Sequence, residues 1–482
     1  MKRSIAYLLV LNMTLGTSCK KYLEQAPDMR TTLNTPEKVS ELLVTAYPGG
    51  NYFVMAEAMS DNPIDCGIVG GVVSEVNGYP YFWKDVISTS QDSPTYYWNK
   101  CYEAISAANH ALDVCEHAED PSKYSAQKGE ALVARAYAHF MLVTLYAKPY
   151  DPNTAAKDIG IPYVTDKETV VFKQYDRKTV AYVYEQIEKD LQEGIPLIND
   201  NYAVPAYHFT RKAAHAFATR FYLFKKDYDK VIEEANLAFP SNNFAANVRP
   251  WLSYQNYASA ELENAFTNAN NPGNLLLCET VSRVGSYYGR YQYSLSSPKK
   301  DLIISPLGQK FSAYKSYSYS STYYFVKKFM PYFVRTSINA STGVYHTMVP
   351  LLTTEEVLLN RAEAYIWKGM YDKGLKDMNT LISTRMTSYT PSSHDFTESR
   401  IMAYYTSKTS DKQTAYIYAL LDLKRAEFIH EGMRWLDILR YKMPVTHTTQ
   451  DGQVFELAAD DNRKQLQLPE EVTLSGLPLN PR

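Results

Sequence analysis

A pair of helical stretches joined by a tight turn occurs twice in this chain, and it constrains the fold more than any other sequence feature. In the first copy Tyr222 precedes a Tyr-Asp-Lys sequence at 228–230 by six residues, and in the second copy Tyr365 precedes Tyr-Asp-Lys at 371–373 by the same number. Apolar residues on both sides of each turn follow the 3.6-residue period of a helix. Because one helix pair cannot bury its apolar face alone, the sequence predicts pairs that stack on one another.

This order of helix, turn and helix is that of a tetratricopeptide unit. The two predicted units pair 210–225 with 228–239 and 353–368 with 371–386, and we expect a further, degenerate pair around 100–147. The fold class predicted from these units is mostly α: a tetratricopeptide-like helical-repeat scaffold, or α/α superhelix, with long irregular insertions.

Further helices are predicted from the same apolar period. They are 36–47, 95–118, 122–147, 177–198, and 412–441 with a break near Gly432. Thr35 is expected to cap the first of them, with Pro36 at its first helical position. The second half of 122–147 is apolar on nearly all sides, which predicts a central buried helix.

Two long regions without a clear period interrupt these helices, at about 48–94 and about 240–350. Irregular insertions of this length in a compact domain usually carry function, so both are expected to build the ligand face. The predicted division of the chain is 1–18 as a lipoprotein signal peptide, 19–240 as an N-terminal helical region that contains the 48–94 loop, 241–350 as an irregular insertion region, and 351–482 as a C-terminal helical region.

The first nineteen residues have the form of an export signal. Lys2 and Arg3 precede an apolar run at 5–15, and small residues at 16–18 lead to Cys19. The run is shorter than the roughly 20 residues that span a bilayer, and a charged start with a small-residue exit is typical of a cleaved secretory signal. A cysteine at the cleavage point resembles a bacterial lipoprotein signal, in which it becomes the acylated first residue. A plain secreted protein is the alternative.

Composition excludes some partners and favours others. The net charge of −2 gives no reason to expect nucleic acid as a partner. The chain has 42 tyrosines, whose rings stack on flat apolar faces while their hydroxyls form hydrogen bonds, and this suits sugar-like or peptide-like ligands. Cys66, Cys101, Cys115 and Cys278 show no CxxC spacing, and they either form up to two disulfides or stay as small buried residues.

No catalytic or cofactor motif stands out, so the sequence predicts a binding protein that is not an enzyme and has no cofactor. No metal site is predicted, and a structural calcium held by loop carboxylates such as Asp61 and Asp65 is left open. The patterns HExxH, GxSxG, the P-loop and GxGxxG are all missing. Glu427 and Glu431 are a candidate carboxylate pair for glycoside hydrolysis, but at i and i+4 on one helix they would lie side by side rather than across a cleft. They are expected instead to pair with other charges of the apolar helices.

Segments along nearly the whole chain, taken in their order and spacing, resemble the SusD/RagB-like lipoprotein family. The segments are Cys19 with Leu23-Glu24 and Pro27; Trp98, Tyr102, Ile105, Asn109 and Leu112; Glu130-Ala131, Arg135-Ala136-Tyr137, Phe140 and Leu145-Tyr146; Arg361-Ala362-Glu363-Ala364; Glu427-Phe428, Glu431-Gly432, Arg434-Trp435, Asp437 and Arg440; and Leu468-Pro469 with Leu479-Asn480-Pro481. Leu423-Lys424 departs from the family pattern, which usually has Glu-Arg there.

The resemblance implies a surface-exposed lipoprotein of the outer membrane of Bacteroidota, anchored through Cys19. Such a protein would capture a glycan and deliver it to a SusC-like TonB-dependent transporter, as in a starch-utilisation-like system, with its helical repeats facing the transporter. A peptide-capturing lid of an importer of the RagB type shares the fold and is an alternative, and a surface glycoside hydrolase is a weaker one.

Aromatic residues in the first insertion are candidates for ligand contact. Tyr79, Tyr81 and Trp83 lie within five positions, beside flexible Gly78. Sugar rings pack their C–H faces on such side chains, so replacing Tyr81 or Trp83 with alanine is expected to weaken binding and leave folding intact. The other interpretation is a small core beneath the loop.

The second insertion contributes a tyrosine-rich, basic stretch, in which Tyr287, Tyr288 and Arg290 are the chosen candidates for ligand contact. The aromatic and basic residues of 281–329 include Tyr287, Tyr288, Tyr291, Tyr293, Tyr314, Tyr317, Tyr319, Tyr323, Tyr324, Arg283, Arg290, Lys299, Lys300, Lys310, Lys315, Lys327 and Lys328, against the single acid Asp301. The alternation in 314–325 equally suits a half-buried strand or hairpin.

Overall fold

The structure is a computed structural model that describes residues 33–69, 71–167 and 174–482. Cys19 and the predicted signal peptide lie outside the described residues. Within them the chain is mostly helical, which confirms the predicted fold class. In this part of the chain no helix combines the length and the apolar character needed to cross a membrane.

Most helices of the N-terminal half follow the predicted segments, and two short ones, at Phe53–Met59 and Glu75–Tyr81, lie in the first insertion where none was predicted. The helices of this half are α1 Pro36–Leu43, α2 Phe53–Met59, α3 Glu75–Tyr81, α4 Pro94–His117, α5 Ser125–Tyr146, α6 Val180–Gly194, α7 Arg211–Lys225 and α8 Tyr228–Ala238. Thr35 caps α1, since its side chain accepts a hydrogen bond from the N–H of Lys38 at 3.4 Å. α5 packs against both α4 and α6 and is buried from Gly129 to Tyr146, which confirms the prediction of a central buried helix.

The remaining helices divide between the second insertion and the C-terminal half. Those of the insertion are α9 Phe244–Asn247, α10 Trp251–Tyr254, α11 Ser259–Phe266, α12 Val284–Tyr287 and α13 Ser297–Ile303. Those of the C-terminal half are α14 Thr354–Trp367, α15 Tyr371–Ser383, α16 Pro391–His394, α17 Glu398–Tyr405, α18 Lys412–Glu427 and α19 Met433–Arg440. Gly432, with a left-handed φ of 69°, separates α18 from α19, so the predicted break is confirmed.

The turns of the two helix pairs have the same geometry. Between α7 and α8 the N–H of Asp227 donates to the carbonyl of Tyr222 at 2.9 Å, and between α14 and α15 the N–H of Met370 donates to the carbonyl of Tyr365 at 2.8 Å. This bond defines a Schellman cap, which satisfies carbonyl groups left open at the end of the first helix. The repeated Tyr-x5-Tyr-Asp-Lys pattern therefore encodes a repeated local structure.

The two pairs stack on each other to form the scaffold. α14 packs against α7, α8 and α18, and the ring of Trp367 at its end stacks on Tyr228 with 5.5 Å between centroids. Stacking of this kind buries the apolar face that each pair leaves exposed alone. A single apolar core extends from these helices into both insertions.

The second insertion also contains β-structure that the apolar period did not predict. The strands of the described chain are β1 Ile64–Asp65, β2 Asn274–Val281, β3 Tyr293–Ser294, β4 Ser316–Ser318, β5 Tyr324–Val326, β6 Pro331–Arg335, β7 Gly343–Thr353, β8 Val445–Thr448 and β9 Val454–Leu457. β2, β7 and β6 form an antiparallel sheet in that order, in which Cys278 pairs with Val349 and Phe333 with Tyr345. β4 and β5 form an antiparallel hairpin, which confirms the strand interpretation of 314–325.

The four cysteines of the described chain are unpaired and buried. They are Cys66, Cys101, Cys115 and Cys278. Burial raises the pKa of each thiol, and that of Cys66 reaches about 11. The sequence left disulfides and small buried residues as alternatives, and the structure has the second.

Candidate functional site

The two insertions that were predicted to carry function lie against each other. Asp65 of β1 pairs with Tyr293 of β3, and the backbone N–H of Val72 donates to the carbonyl of Arg290 at 2.7 Å. The side chain of Asn77 donates to the carbonyl of Tyr293 at 3.0 Å and accepts from its N–H at 3.1 Å. Residues distant in sequence therefore form one surface on the scaffold.

Tyr81 and Trp83 belong to a small core beneath the first insertion. They are 1% and 3% exposed, and both rings stack on His447, with centroid distances of 4.1 and 4.5 Å. The hydroxyl of Tyr81 donates to the carbonyl of Thr448 at 3.1 Å, and Nε1 of Trp83 donates to the carbonyl of Met59 at 3.0 Å. Both rings are almost fully covered by their neighbours, and Trp83 also borders a surface cavity with Lys84 and Arg463. Because they pack in this core, their replacement with alanine is expected to lower stability, contrary to the expectation from the sequence.

Tyr288 is also buried, at 9% exposure. Its hydroxyl accepts a hydrogen bond from the N–H of Lys328 at 3.0 Å, and its ring packs edge-on against Phe325 and Phe329. Tyr288 therefore holds the segment after β5 in place rather than facing solvent. Tyr79 differs from these three candidates, since it is 40% exposed on α3.

Tyr287 and Arg290 form part of a continuous surface of rings and guanidinium groups, which we call the aromatic–arginine strip. Its members, in spatial order, are Tyr319, Arg290, Tyr287, Arg283, Tyr345 and Phe333. Cζ of Arg290 lies 4.1 Å from the ring centroid of Tyr319 and 5.8 Å from that of Tyr287. Rings and cations thus alternate along one face of the second insertion.

The other end of the strip runs onto the three-stranded sheet. Cζ of Arg283 lies 5.6 Å from the centroid of Tyr287 and 5.9 Å from that of Tyr345, which in turn packs against Phe333 at 5.3 Å. Phe333 is 46% exposed and Tyr319, at the opposite end, is 49% exposed. Exposed apolar rings in one connected patch are typical of surfaces that bind another molecule.

Four members of the strip were not chosen as candidates from the sequence. Arg283 and Tyr319 lie in the basic, tyrosine-rich stretch but carry no local signal that separates them from its buried tyrosines. Phe333 and Tyr345 lie outside that stretch and join it only because β6 pairs with β7. A search for alternating residues in 331–335 and 343–349 would have found the strands but not their exposed rings.

Glu427 and Glu431 are buried in ion pairs, as predicted, and do not face a cleft. Glu427 pairs with Arg385 at 2.7 Å and accepts a hydrogen bond from the hydroxyl of Tyr314, while Glu431 pairs with Lys328 at 2.5 Å. Burial raises the pKa of Glu427, but the charge and hydrogen bonds of Arg385 outweigh burial, and the pKa falls to about 2. These contacts fasten the second insertion to α18 and its following turn.

Comparisons with known proteins agree with this architecture. A family profile described as "Starch-binding associating with outer membrane" matches residues 21–223, and one described as "SusD family" matches residues 285–470. A search of curated proteins found no match.

Several solved structures are similar to this one. A SusD superfamily protein from Bacteroides thetaiotaomicron is 20% identical, covers 93% of this chain and 100% of its own, and has a TM-score of 0.68. A putative sugar binding protein from Bacteroides vulgatus is 18% identical over 94% of this chain and 99% of its own, also with a TM-score of 0.68. A laminarin binding SusD-like protein is 17% identical over 93% and 99%, with a TM-score of 0.61. At these identities the likeness concerns the fold.

Fold and site together define a class of protein: a tetratricopeptide-like scaffold on which long insertions build an exposed aromatic surface. The two matching profiles cover both halves of that scaffold. The chain belongs to the SusD/RagB-like family.

Proposed function

We propose that this protein captures a glycan at the cell surface and delivers it to a SusC-like TonB-dependent transporter, without catalysis. The observation that carries the proposal is the aromatic–arginine strip on a SusD-like scaffold. Flat, exposed rings at 4–6 Å from neighbouring cations suit ligands that offer both C–H faces and hydroxyl groups.

The residues proposed to contact the ligand are those whose side chains are at least partly exposed. Tyr287 and Arg290 remain candidates for ligand contact, and Tyr319 and Phe333 are added to them. Tyr79 also remains a candidate, because its ring is exposed. Tyr81, Trp83 and Tyr288 are assigned to packing.

The absence of turnover is proposed on the positions of the acids. Retaining and inverting glycosidases place two carboxyl groups across the bond that is cleaved. The pair weighed from the sequence, Glu427 and Glu431, is buried against Arg385 and Lys328. From the sequence, we also propose that a lipid on Cys19 anchors the protein and that it is located at the outer membrane.

Binding of polysaccharides by the purified mature protein tests the proposal, with affinity electrophoresis for a panel and calorimetry for the best ligand. Tyr319→Ala is expected to weaken binding about tenfold, because loss of a stacked ring removes roughly 1–1.5 kcal/mol. Tyr404→Ala is the matched control, since Tyr404 is 44% exposed but outside the strip. Equal binding by the parent and Tyr319→Ala would show that the strip is not the binding surface. Release of reducing ends from the polymer would show that the protein is an enzyme and does not only bind.

A peptide ligand is a second candidate, and the position of β6 favours it. β6 is an edge strand of the β2-β7-β6 sheet, and Val334 in it is 38% exposed. An extended peptide can add to such an edge by backbone hydrogen bonding. The N–H of Arg335 faces away from β7, because the hydrogen-bonded pairs between β6 and β7 alternate and include Val334 with Val344. Calorimetry with mixed oligopeptides tests this, because a peptide that adds to β6 should lose affinity on Arg335→Pro and keep it on Tyr319→Ala.

A further inference from the structure

We propose that the aromatic–arginine strip selects glycans that carry negative charge, as carboxylate or sulfate groups on their sugar rings. The inference rests on the proposed function and narrows its class of ligand. It is carried by the juxtaposition, in one strip, of stacking rings with guanidinium groups that have no carboxylate within 4.0 Å among the described residues.

The arginines of the described chain fall into two groups. Most of them have a carboxylate within 4.0 Å or donate to a backbone carbonyl, as Arg361 does to Asp377 at 2.8 Å. Among these residues, Arg283, Arg290 and Arg335 have neither kind of partner. Two of the three are members of the strip, and Arg335 follows Phe333 by two positions in β6, so both side chains lie on one face of the sheet.

Cζ of Arg290 lies 4.1 Å from the ring centroid of Tyr319 and 5.8 Å from that of Tyr287. A guanidinium group that packs on rings can still donate in-plane hydrogen bonds to carboxylate and sulfate oxygens. Nε of Arg290 is buried and has no hydrogen-bond partner among the described residues.

Asp92 and Glu279, two carboxylates near the strip, form no ion pair with its arginines within 4.0 Å. Asp92 is buried behind Arg283, and its two oxygens accept from the hydroxyl of Ser282 at 2.5 Å and the backbone N–H of Arg283 at 2.8 Å. Glu279 lies on the opposite face of the sheet from Tyr345, because it pairs with Met348 and side chains alternate along a strand. The strip is therefore locally basic on a chain whose net charge is −2.

A charged glycan gains from both features of the strip, whereas a neutral one gains from the rings alone. Sugar faces stack on Tyr287, Tyr319 and Phe333, and each ring-borne anion forms a charge-assisted hydrogen bond with a guanidinium edge. Such bonds are roughly twice as strong as those between neutral groups.

The test measures binding of the purified mature protein to polygalacturonate, to alginate and to chondroitin sulfate, which present carboxylate alone or carboxylate with sulfate. Polygalacturonate whose carboxyl groups have been reduced to alcohols keeps the rings and linkages and removes the charge. Poly-L-glutamate supplies charge without sugar rings. Calorimetry in about 0.05 M and about 0.5 M NaCl measures how strongly salt weakens the binding affinity by screening charge.

The variant Arg283→Gln/Arg290→Gln removes the two unpaired cations of the strip. The matched control Lys412→Gln/Arg463→Gln removes the same charge from residues paired with Glu398 and Asp461 outside the strip. We expect the strip variant to bind at least one acidic polysaccharide about tenfold more weakly than the control does, and to lose the salt dependence, with an unchanged melting temperature.

The outcomes separate this inference from the function on which it rests. Equal affinity for acidic and carboxyl-reduced polymer, or equal binding by strip variant and control, overturns the charge preference and leaves glycan capture intact. Poly-L-glutamate binding as tightly as the polysaccharides overturns the role of the rings. Failure of every glycan, neutral or acidic, to bind overturns the proposed function as well.

Discussion

Asp92 places a carboxyl group in the interior directly behind the strip. It is 1% exposed and has a left-handed φ of 68°, and its oxygens hold Ser282 and the backbone of Arg283. Burial raises the pKa of this carboxyl from 3.8 to about 6, because the hydrogen bonds and the charge of Arg283 only partly offset the loss of water. The folded protein therefore retains this proton more strongly than the unfolded chain does.

The raised pKa of Asp92 predicts the direction of a pH effect on stability. A folded-state pKa above the unfolded one gives stability that is present below about pH 4 and is lost as the pH rises through about 6. Asp92→Asn removes this titration, and asparagine tolerates a left-handed backbone. We expect the free energy of unfolding of the variant, relative to the parent, to rise by about 2–3 kcal/mol between about pH 4 and pH 7. Urea denaturation at several pH values measures it, and parallel curves for the two proteins would contradict it.

Trp83 illustrates why ligand residues are hard to assign from a local pattern. Clustered aromatics in a loop mark a ligand surface or a small core equally well, and only His447, more than 360 positions away, decides between the two. Tyr287 and Arg290 were chosen on a pattern of the same kind, and they are only half-buried. Exposure depends on distant partners that a single sequence does not reveal.

A matched pair of substitutions separates the two kinds of aromatic residue. Trp83→Phe removes the hydrogen bond to Met59 from a buried site, and we expect it to lower the free energy of unfolding by about 1–3 kcal/mol. Glycan affinity should change less than about twofold, since the ring is almost fully covered by its neighbours. Tyr319→Ala should do the reverse. If Trp83→Phe lowers glycan affinity but not stability, the buried rings of the first insertion would have to be counted as ligand contacts.

At the scale of elements, helix pairs were predictable and the sheet was not. The Tyr-x5-Tyr-Asp-Lys pattern acts through local bonds, such as that from Asp227 to Tyr222, so a short window contains the necessary information. β2 reads as a buried apolar run that fits a helix as well as a strand, and its partner β7 begins more than 60 residues later. The apolar period in a short sequence window contains no information about which distant strand a segment pairs with.

The caps between paired helices offer a test of the repeat at one backbone position. Gly369 has φ 71° and nothing within 4 Å of an added Cβ, and Lys226 holds the equivalent position with φ 64°. Gly369→Ala should therefore cost about 1 kcal/mol through backbone strain alone. Lys226→Ala is the matched control, because that unit already carries a side chain at this conformation, and its stability should barely change. Chemical denaturation that finds equal effects would argue against equivalent caps.

At the scale of the whole molecule, buried polar contacts join the second insertion to the scaffold. Lys328 of the second insertion pairs with Glu431, and Tyr314 donates to Glu427 at the end of α18. Removing one partner of such a buried pair leaves an uncompensated charge, which costs several kcal/mol. These contacts tie the second insertion, which carries most of the strip, to the stacked helices.

The position of the whole molecule at a membrane depends on Cys19. Acyl chains contribute about 0.8 kcal/mol for each buried methylene, so two or more of them retain a protein on a bilayer without a membrane-spanning helix. We expect the protein, expressed with its own signal in a bacterium that processes lipoproteins, to incorporate an alkyne-labelled fatty acid and to sediment with membranes. Cys19→Ser should abolish the label and release the protein, whereas Cys66→Ser, at a buried site of the described chain, should keep both. Labelling that survives Cys19→Ser would show that the anchor lies elsewhere, and a soluble, unlabelled parent would remove the membrane from the proposed function.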